Sequence, residues 1–79
     1  DSKTKLQEYS LKKYKVLPIY KLISNSGPRH KPIFKIGVRL KNTKFFYATG
    51  SSKKNAESKS AEILLKDIGV EWAGAIQVI

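Results

Sequence analysis

From Phe34 to Lys41 the chain alternates without a break: Phe34, Ile36, Val38 and Leu40 fall on one side of an extended backbone, Lys35, Gly37, Arg39 and Lys41 on the other. Successive side chains of a strand point to opposite faces, so this period of two predicts a half-buried antiparallel strand. Asn42-Thr43 supply a tight turn, after which Phe45-Phe46-Tyr47-Ala48-Thr49, aromatic and β-prone, returns as the next strand. Ahead of the alternating segment, Ile19-Tyr20-Lys21-Leu22-Ile23 reads as a first strand. The turn formers from Ser24 to Pro32 read as a loop between the two.

On either side of these strands the period changes to that of a helix. Thr4-Lys5-Leu6-Gln7 fits a T-x-x-Q capping box and predicts a helix start at Thr4. On the helical wheel Leu6, Tyr9 and Ser10 share an inward face with the Lys13 stem alongside. Thr4, Gln7, Glu8, Leu11, Lys12 and Lys15 lie opposite. Leu17-Pro18 is the predicted stop, because proline disfavours helical geometry in the residue before it. From about Ser52, Ala56, Ser60, Leu64 and Ile68 stack at i, i+4 spacing with Ala61 and Leu65 beside them, and Gly69 is a natural C-cap. The small residues allow this helix to approach the sheet closely. The expected fold class is α+β: α-β-β-β-α, a three-stranded antiparallel sheet with two helices packed on one face. Residues 3–69 form the domain, and the apolar tail 70–79 has three open roles: packing back on the domain, pairing with a partner, or belonging to parent sequence cut short.

Seventy-nine residues allow one small core and one site. A chain that begins at Asp1 and contains no methionine reads as a piece of a longer protein. Sixteen Lys and Arg against six Asp and Glu give a formal charge of +10, which points to a polyanionic partner. The absence of cysteine rules out disulfides, thiol chemistry and thiolate-held zinc, and the single His30 builds no metal site by itself. No apolar run approaches the ~20 residues of a membrane span and no signal segment opens the chain, so the expectation is an intracellular protein, cytoplasmic or nuclear, with no membrane partner.

The stretch Gly50-Ser51-Ser52-Lys53-Lys54 places a glycine, two hydroxyls and two lysines at a helix start. A nucleotide-binding loop of the G-x-x-x-x-G-K-[ST] type fails here: no second glycine frames the cradle, and Asn55 follows Lys54. The apolar tail leaves a lipid site open but disfavoured, since the basic residues are spread over every element instead of lying beside it. Lysines at a helix N-terminus oppose the macrodipole at a cost of some tenths of a kcal/mol, which an anion would offset. From these residues alone, a nucleic-acid phosphate grip and a solvated lysine pair both stay open.

The order of motifs adds the decisive information. KTKLQEY at the first helix, LPIY entering the first strand, GPRHKPIF across the loop and GSSKKNAESKSAEILL at the second helix together resemble the double-stranded RNA-binding domain, over residues 3 to 68. The KT-x-LQE opening, GP-x-H loop and KK-x-AE helix are most similar to the C-terminal domain of ribonuclease III enzymes. The resemblance implies contact with A-form RNA across two minor grooves and the major groove between them, spanning about 16 base pairs. Thr4, Gln7 and Glu8 would meet 2′-hydroxyls and base edges in one minor groove. Pro28, Arg29, His30 and Lys31, shaped by Gly27, would serve the second minor groove and its phosphates. Ser52, Lys53 and Lys54 would hold phosphates across the major groove.

The pattern has departures. Glu57 stands where many family members carry a third lysine, which is expected to weaken the phosphate grip. Leu11 stands where ribonuclease III relatives often have glutamine, and it can pack but not hydrogen-bond. Ala48-Thr49-Gly50 replaces a frequent GxG, with an effect on packing alone. The implied function is sequence-independent binding of double-stranded RNA, without catalysis or cofactor in this chain. Its six scattered acids form no cluster suited to two-metal chemistry, so Mg2+ would belong to the catalytic domain of a nuclease parent, through which the parent would also dimerise. The competing readings are a non-nuclease parent (an editing deaminase, a dsRNA-activated kinase or a viral dsRNA-sequestering protein) and a protein-interaction module of the same fold.

Overall fold

The computed structural model describes residues 1–69; the apolar tail, Val70 onward, lies outside the described residues. The chain runs α1 (Ser2–Tyr14), β1 (Ile19–Ser26), β2 (Ile33–Arg39), β3 (Phe46–Gly50) and α2 (Lys53–Ile68). The strands form an antiparallel meander in the order β1-β2-β3, and both helices cover one face of it. This is the α-β-β-β-α architecture expected from the sequence.

The alternation of β2 sets the two faces. Ile36, Val38 and Leu40 are buried beneath the helices, and Leu6 of α1 meets Ala61, Leu64 and Leu65 of α2 over them. Tyr9, Tyr14, Tyr20, Phe46 and Ile68 close the rim of this core. Ala56, Ser60 and Ala61 are fully buried, as a close approach of α2 to the sheet requires. The Ser60 hydroxyl is satisfied within the helix by donating to the Glu57 carbonyl at 2.8 Å. Gly50 completes the approach: a Cβ there would lie 2.7 Å from the Ala56 nitrogen and would overlap the Asn55 side chain. At the far end Gly69, at φ 83, caps α2 through its amide.

Strand β2 is Ile33–Arg39 rather than Phe34–Lys41, and the bounds of α1, β1 and β3 differ from expectation for local reasons. Helix α1 starts at Ser2 rather than Thr4: the Asp1 carboxylate accepts from the Thr4 amide at 2.9 Å, so Asp1 is the N-cap and the Thr4–Gln7 capping box does not form. A carboxylate three residues upstream also complements the macrodipole, which a threonine does not. The helix ends at Tyr14, ahead of Leu17-Pro18. Lys15 turns left-handed at φ 66 with its amide on the Leu11 carbonyl, and the buried Ser10 hydroxyl donates to the Val16 carbonyl at 2.6 Å, folding the chain back. Strand β1 continues to Ser26 because Ser24–Ser26 pair with Ile33–Lys35 beyond a bulge at Ile23. Those polar side chains lie at the fully exposed end of an edge strand, where they remain in water. Strand β3 is Phe46–Gly50, one residue later than the Phe45–Thr49 expected, and the Leu40–Thr43 turn before it is held by the Thr43 hydroxyl accepting from the Leu40 amide at 2.9 Å.

Candidate nucleic-acid interface

The residues expected to touch RNA sit on three segments, and all ten of them are exposed. On α1 the inward face is Leu6 and Ser10 with Tyr9 half-buried, which leaves Thr4, Gln7, Glu8 and Leu11 in a solvent-facing stripe. Because Asp1 caps the helix, the Thr4 hydroxyl and Gln7 amide are released from capping. Neither has a hydrogen-bond partner among the described residues. Polar groups left unpaired on a surface stripe are available to a ligand.

The loop between β1 and β2 is built on Gly27 and Pro28. Gly27 has φ 87, and a Cβ there would lie 2.7 Å from the Lys31 carbonyl oxygen, so only glycine fits. The Lys31 amide donates to the Pro28 carbonyl at 2.9 Å and closes a turn that carries Arg29 and His30 outward at its tip. That bond occupies one lone pair of the Pro28 carbonyl and leaves the other open.

At the start of α2, Ser52 is the N-cap. Its hydroxyl accepts from the Asn55 amide at 3.0 Å, and its carbonyl from the Ala56 amide at 2.9 Å. The free donors of the first turn therefore reduce to the amides of Lys53 and Lys54, the same residues whose ammonium groups stand exposed. Charge and donors coincide on two residues. Within the first two turns of α2 the described residues hold one acid, Glu57.

The Glu57 carboxylate receives the Lys3 ammonium, tying the start of α1 to the second turn of α2. Lys3 also lies 5.5 Å from the centre of the Tyr20 ring, so α1, β1 and α2 meet at this point. The Tyr20 hydroxyl is buried without a hydrogen-bond partner among the described residues, and burial, with the Glu57 charge adding to it, pushes its pKa up to about 12. Lys3 and Glu57 were not singled out as partners in the sequence, which carries no local signal for a contact 54 residues apart.

The three segments converge on the first turns of α2. The Lys3–Glu57 tie brings the α1 stripe to one side. On the other, Pro28 and Lys31 of the loop face Gly50, Ser51 and Lys59 across a cleft of about 530 Å³. Lys59 is a further cation at the meeting of loop and helix, and its place six residues after Lys53 hides it from the opening motif.

This chain belongs to the double-stranded RNA binding motif family, whose model matches residues 2–68. It is 72% identical over 68 residues to Ribonuclease 3 of Pelagibacter ubique (strain HTCC1062), and 46% identical over 68 residues to Ribonuclease 3 of Anaplasma marginale (strain Florida). Each alignment covers 86% of this chain but only 31% and 29% of the relative, so the chain spans under a third of the curated relatives it matches. Among solved structures it is similar to the second dsRBD of DRB4, with a TM-score of 0.61 and 33% identity over 86% of this chain and 94% of that one. The two-domain DRB4 structure with its linker gives a TM-score of 0.66 at 32% identity, covering 94% of this chain and 46% of that one.

Proposed function

We infer that this chain is a double-stranded RNA-binding module that reads A-form shape, sugar hydroxyls and phosphates, with little sequence preference. The observation that carries this reading is the coincidence of the Lys53 and Lys54 ammonium groups with free first-turn amides of a capped helix start, in a chain of this family. Those four donor groups grip phosphates across the major groove. Thr4, Gln7 and Glu8 meet 2′-hydroxyls and base edges in one minor groove. The turn at Pro28 carries His30 into the next, with Arg29 and Lys31 on flanking phosphates. Glu8 belongs in such a site as an acceptor for a hydroxyl hydrogen, a group that DNA lacks.

In the parent protein the module holds duplex RNA for a separate catalytic domain of ribonuclease III type, and the 72% identity to a Ribonuclease 3 supports that assignment. The Mg2+ chemistry and dimerisation belong to that domain, and the setting is intracellular. None of the helices among the described residues is long and apolar enough to cross a membrane.

The test is a titration of this chain against matched RNA duplex, DNA duplex and single-stranded RNA at two salt concentrations. The RNA duplex is expected to bind tightest, with affinity falling as salt rises. Equal affinity for the DNA duplex would sink the 2′-hydroxyl reading.

A further inference from the structure

The face of the sheet turned away from the helices has a chemistry of its own. Lys21, Gly37 and Tyr47 are direct cross-strand partners in one row of it, with Lys35 and Arg39 on either side of Gly37 along β2. Gly37 leaves the centre of the face open, and the Tyr47 ring fills it: a Cβ on Gly37 would lie 2.8 Å from Tyr47 Cε1. Phe45 stacks on Tyr47 with ring centres 6.1 Å apart and planes inclined by 22°. The Lys35 ammonium stands 5.3 Å from the Tyr47 ring centre, and the Arg39 guanidinium 5.7 Å from that of Phe45. Tyr47 nevertheless remains 48% exposed.

No acid tempers this surface. The sequence from Tyr9 to Ala56 contains no Asp or Glu, so the entire sheet is cationic, on the side away from α1 and α2 as well as around the loop. A half-exposed aromatic ring framed by three cations and no anion is matched in charge to a polyanion. It has the composition of a stacking platform for unpaired bases, in which the ring takes the base and the surrounding cations take the phosphates.

We propose that this outer sheet face is a second nucleic-acid surface, which binds unpaired nucleotides by stacking a base on Tyr47 while Lys35, Arg39 and Lys21 hold the flanking phosphates. In the free protein the Lys35 ammonium lies against the ring. An incoming base displaces it, and the flexible lysine stem carries the charge to the adjacent phosphate. The site is separate from the duplex-binding stripe, loop and helix start, and it would engage single-stranded RNA flanking a duplex.

The experiment is an amide NMR titration of this chain with hexauridylate, repeated for Tyr47→Ala, for Tyr47→Leu, which keeps apolar cover over Gly37, and for Lys35→Ala/Arg39→Ala. Affinity for a blunt RNA duplex is measured in parallel. Saturable shifts at Lys21, Gly37 and Tyr47 are expected. Both Tyr47 variants should weaken the hexamer about fivefold or more while leaving blunt-duplex affinity within about twofold. Shifts confined to α1, the Gly27–Lys31 loop and Lys53–Lys54 would overturn the proposal, whatever the duplex result. So would unchanged hexamer affinity in folded Tyr47→Leu. A hexaglutamate peptide that binds the same residues as tightly as hexauridylate would overturn it in favour of an acidic protein partner. A failure of duplex binding alone would leave the hexamer shifts standing and would strike only the function proposed above.

Discussion

The ammonium of Lys3 is paired with the carboxylate of Glu57, joining the first turn of α1 to the second turn of α2. The pair fixes how the α1 stripe sits relative to the lysines at the α2 start, and it spends the nearest acid on a cation of the protein itself. The contact is partly exposed, so its contribution is about 1 kcal/mol or less. A double-mutant cycle of Lys3→Ala and Glu57→Ala by chemical denaturation should return a coupling of that order. Glu57→Lys should destabilise the chain by more than Glu57→Ala. It sets two ammonium groups against each other beside the Tyr20 ring. A Glu57→Lys variant as stable as the parent sequence would show that the tie orders nothing.

Beside that pair, the Tyr20 hydroxyl is buried with no partner among the described residues. A hydroxyl removed from water without a hydrogen bond costs stability, so Tyr20→Phe should be neutral or stabilising by about 1 kcal/mol at pH 7. The pKa adds a pH signature. With the folded value near 12 and the unfolded value near 10, the unfolded chain releases its proton first, and stability is lost as pH rises from 10 towards 12. Tyr20→Phe lacks this loss, so its advantage over the parent sequence should widen across that window in denaturant titrations. A constant difference between the two proteins would mean that Tyr20 ionises as freely when folded as when unfolded.

What the sequence made legible is what depends on near neighbours. The alternation of Phe34 to Lys41 and the stacking of Ala56, Ser60 and Leu64 are periodic patterns, and the structure buries Ile36, Val38, Leu40, Ala56, Ser60 and Leu64 accordingly, while Phe34 is only half-buried and Gly37 is covered on the other face. The exposed stripe of Thr4, Gln7, Glu8 and Leu11 follows from the same arithmetic. Two kinds of feature were not legible. One is competition between equally local signals: Asp1 and Thr4 are both good caps, and the structure uses the Asp1 carboxylate, which also complements the helix dipole. The other is contact at long range, such as Lys3 with Glu57, or Tyr47 laid across Gly37, where a strand glycine reads as a weakness until its cross-strand partner is known.

The two lysines that open α2 oppose the helix dipole, and nothing among the described residues pairs with them. Lys53→Ala/Lys54→Ala should therefore leave stability unchanged or slightly raised, by some tenths of a kcal/mol. Affinity for duplex RNA should fall at least tenfold. The slope of log affinity against log salt should become shallower by about two, one for each phosphate that is no longer gripped. Retained affinity with an unchanged slope would place the phosphate grip elsewhere in the chain.

Gly27 is required by the shape of the loop. Gly27→Ala must place a Cβ 2.7 Å from the Lys31 carbonyl oxygen and hold an alanine at φ 87, so the turn that positions Arg29 and His30 should open. The expected cost is about 1–2 kcal/mol of stability, and duplex affinity should drop even where the protein remains folded, because the opened loop no longer reaches the second minor groove. Thermal melts and binding measured on the same preparation separate the two effects. Full affinity in a destabilised variant would show that the loop does not contact RNA.

Glu8 gives the sharpest test, because electrostatics and hydrogen bonding predict opposite signs for it. An exposed carboxylate facing a polyanion repels it, so if Glu8 were only a surface charge, Glu8→Ala would tighten binding to RNA and DNA duplexes alike. If Glu8 accepts a hydrogen bond from a 2′-hydroxyl, its removal takes away a charge-assisted contact worth roughly 1–2 kcal/mol on RNA and nothing on DNA. Affinity for the RNA duplex should then fall several-fold while that for the DNA duplex rises, and the ratio of the two should shrink by more than either changes alone. Gln7→Ala, which removes a neutral group from the same stripe, should weaken RNA without strengthening DNA. Parallel tightening on both duplexes in Glu8→Ala would leave phosphate attraction as the whole of recognition, with no reading of the sugar by α1.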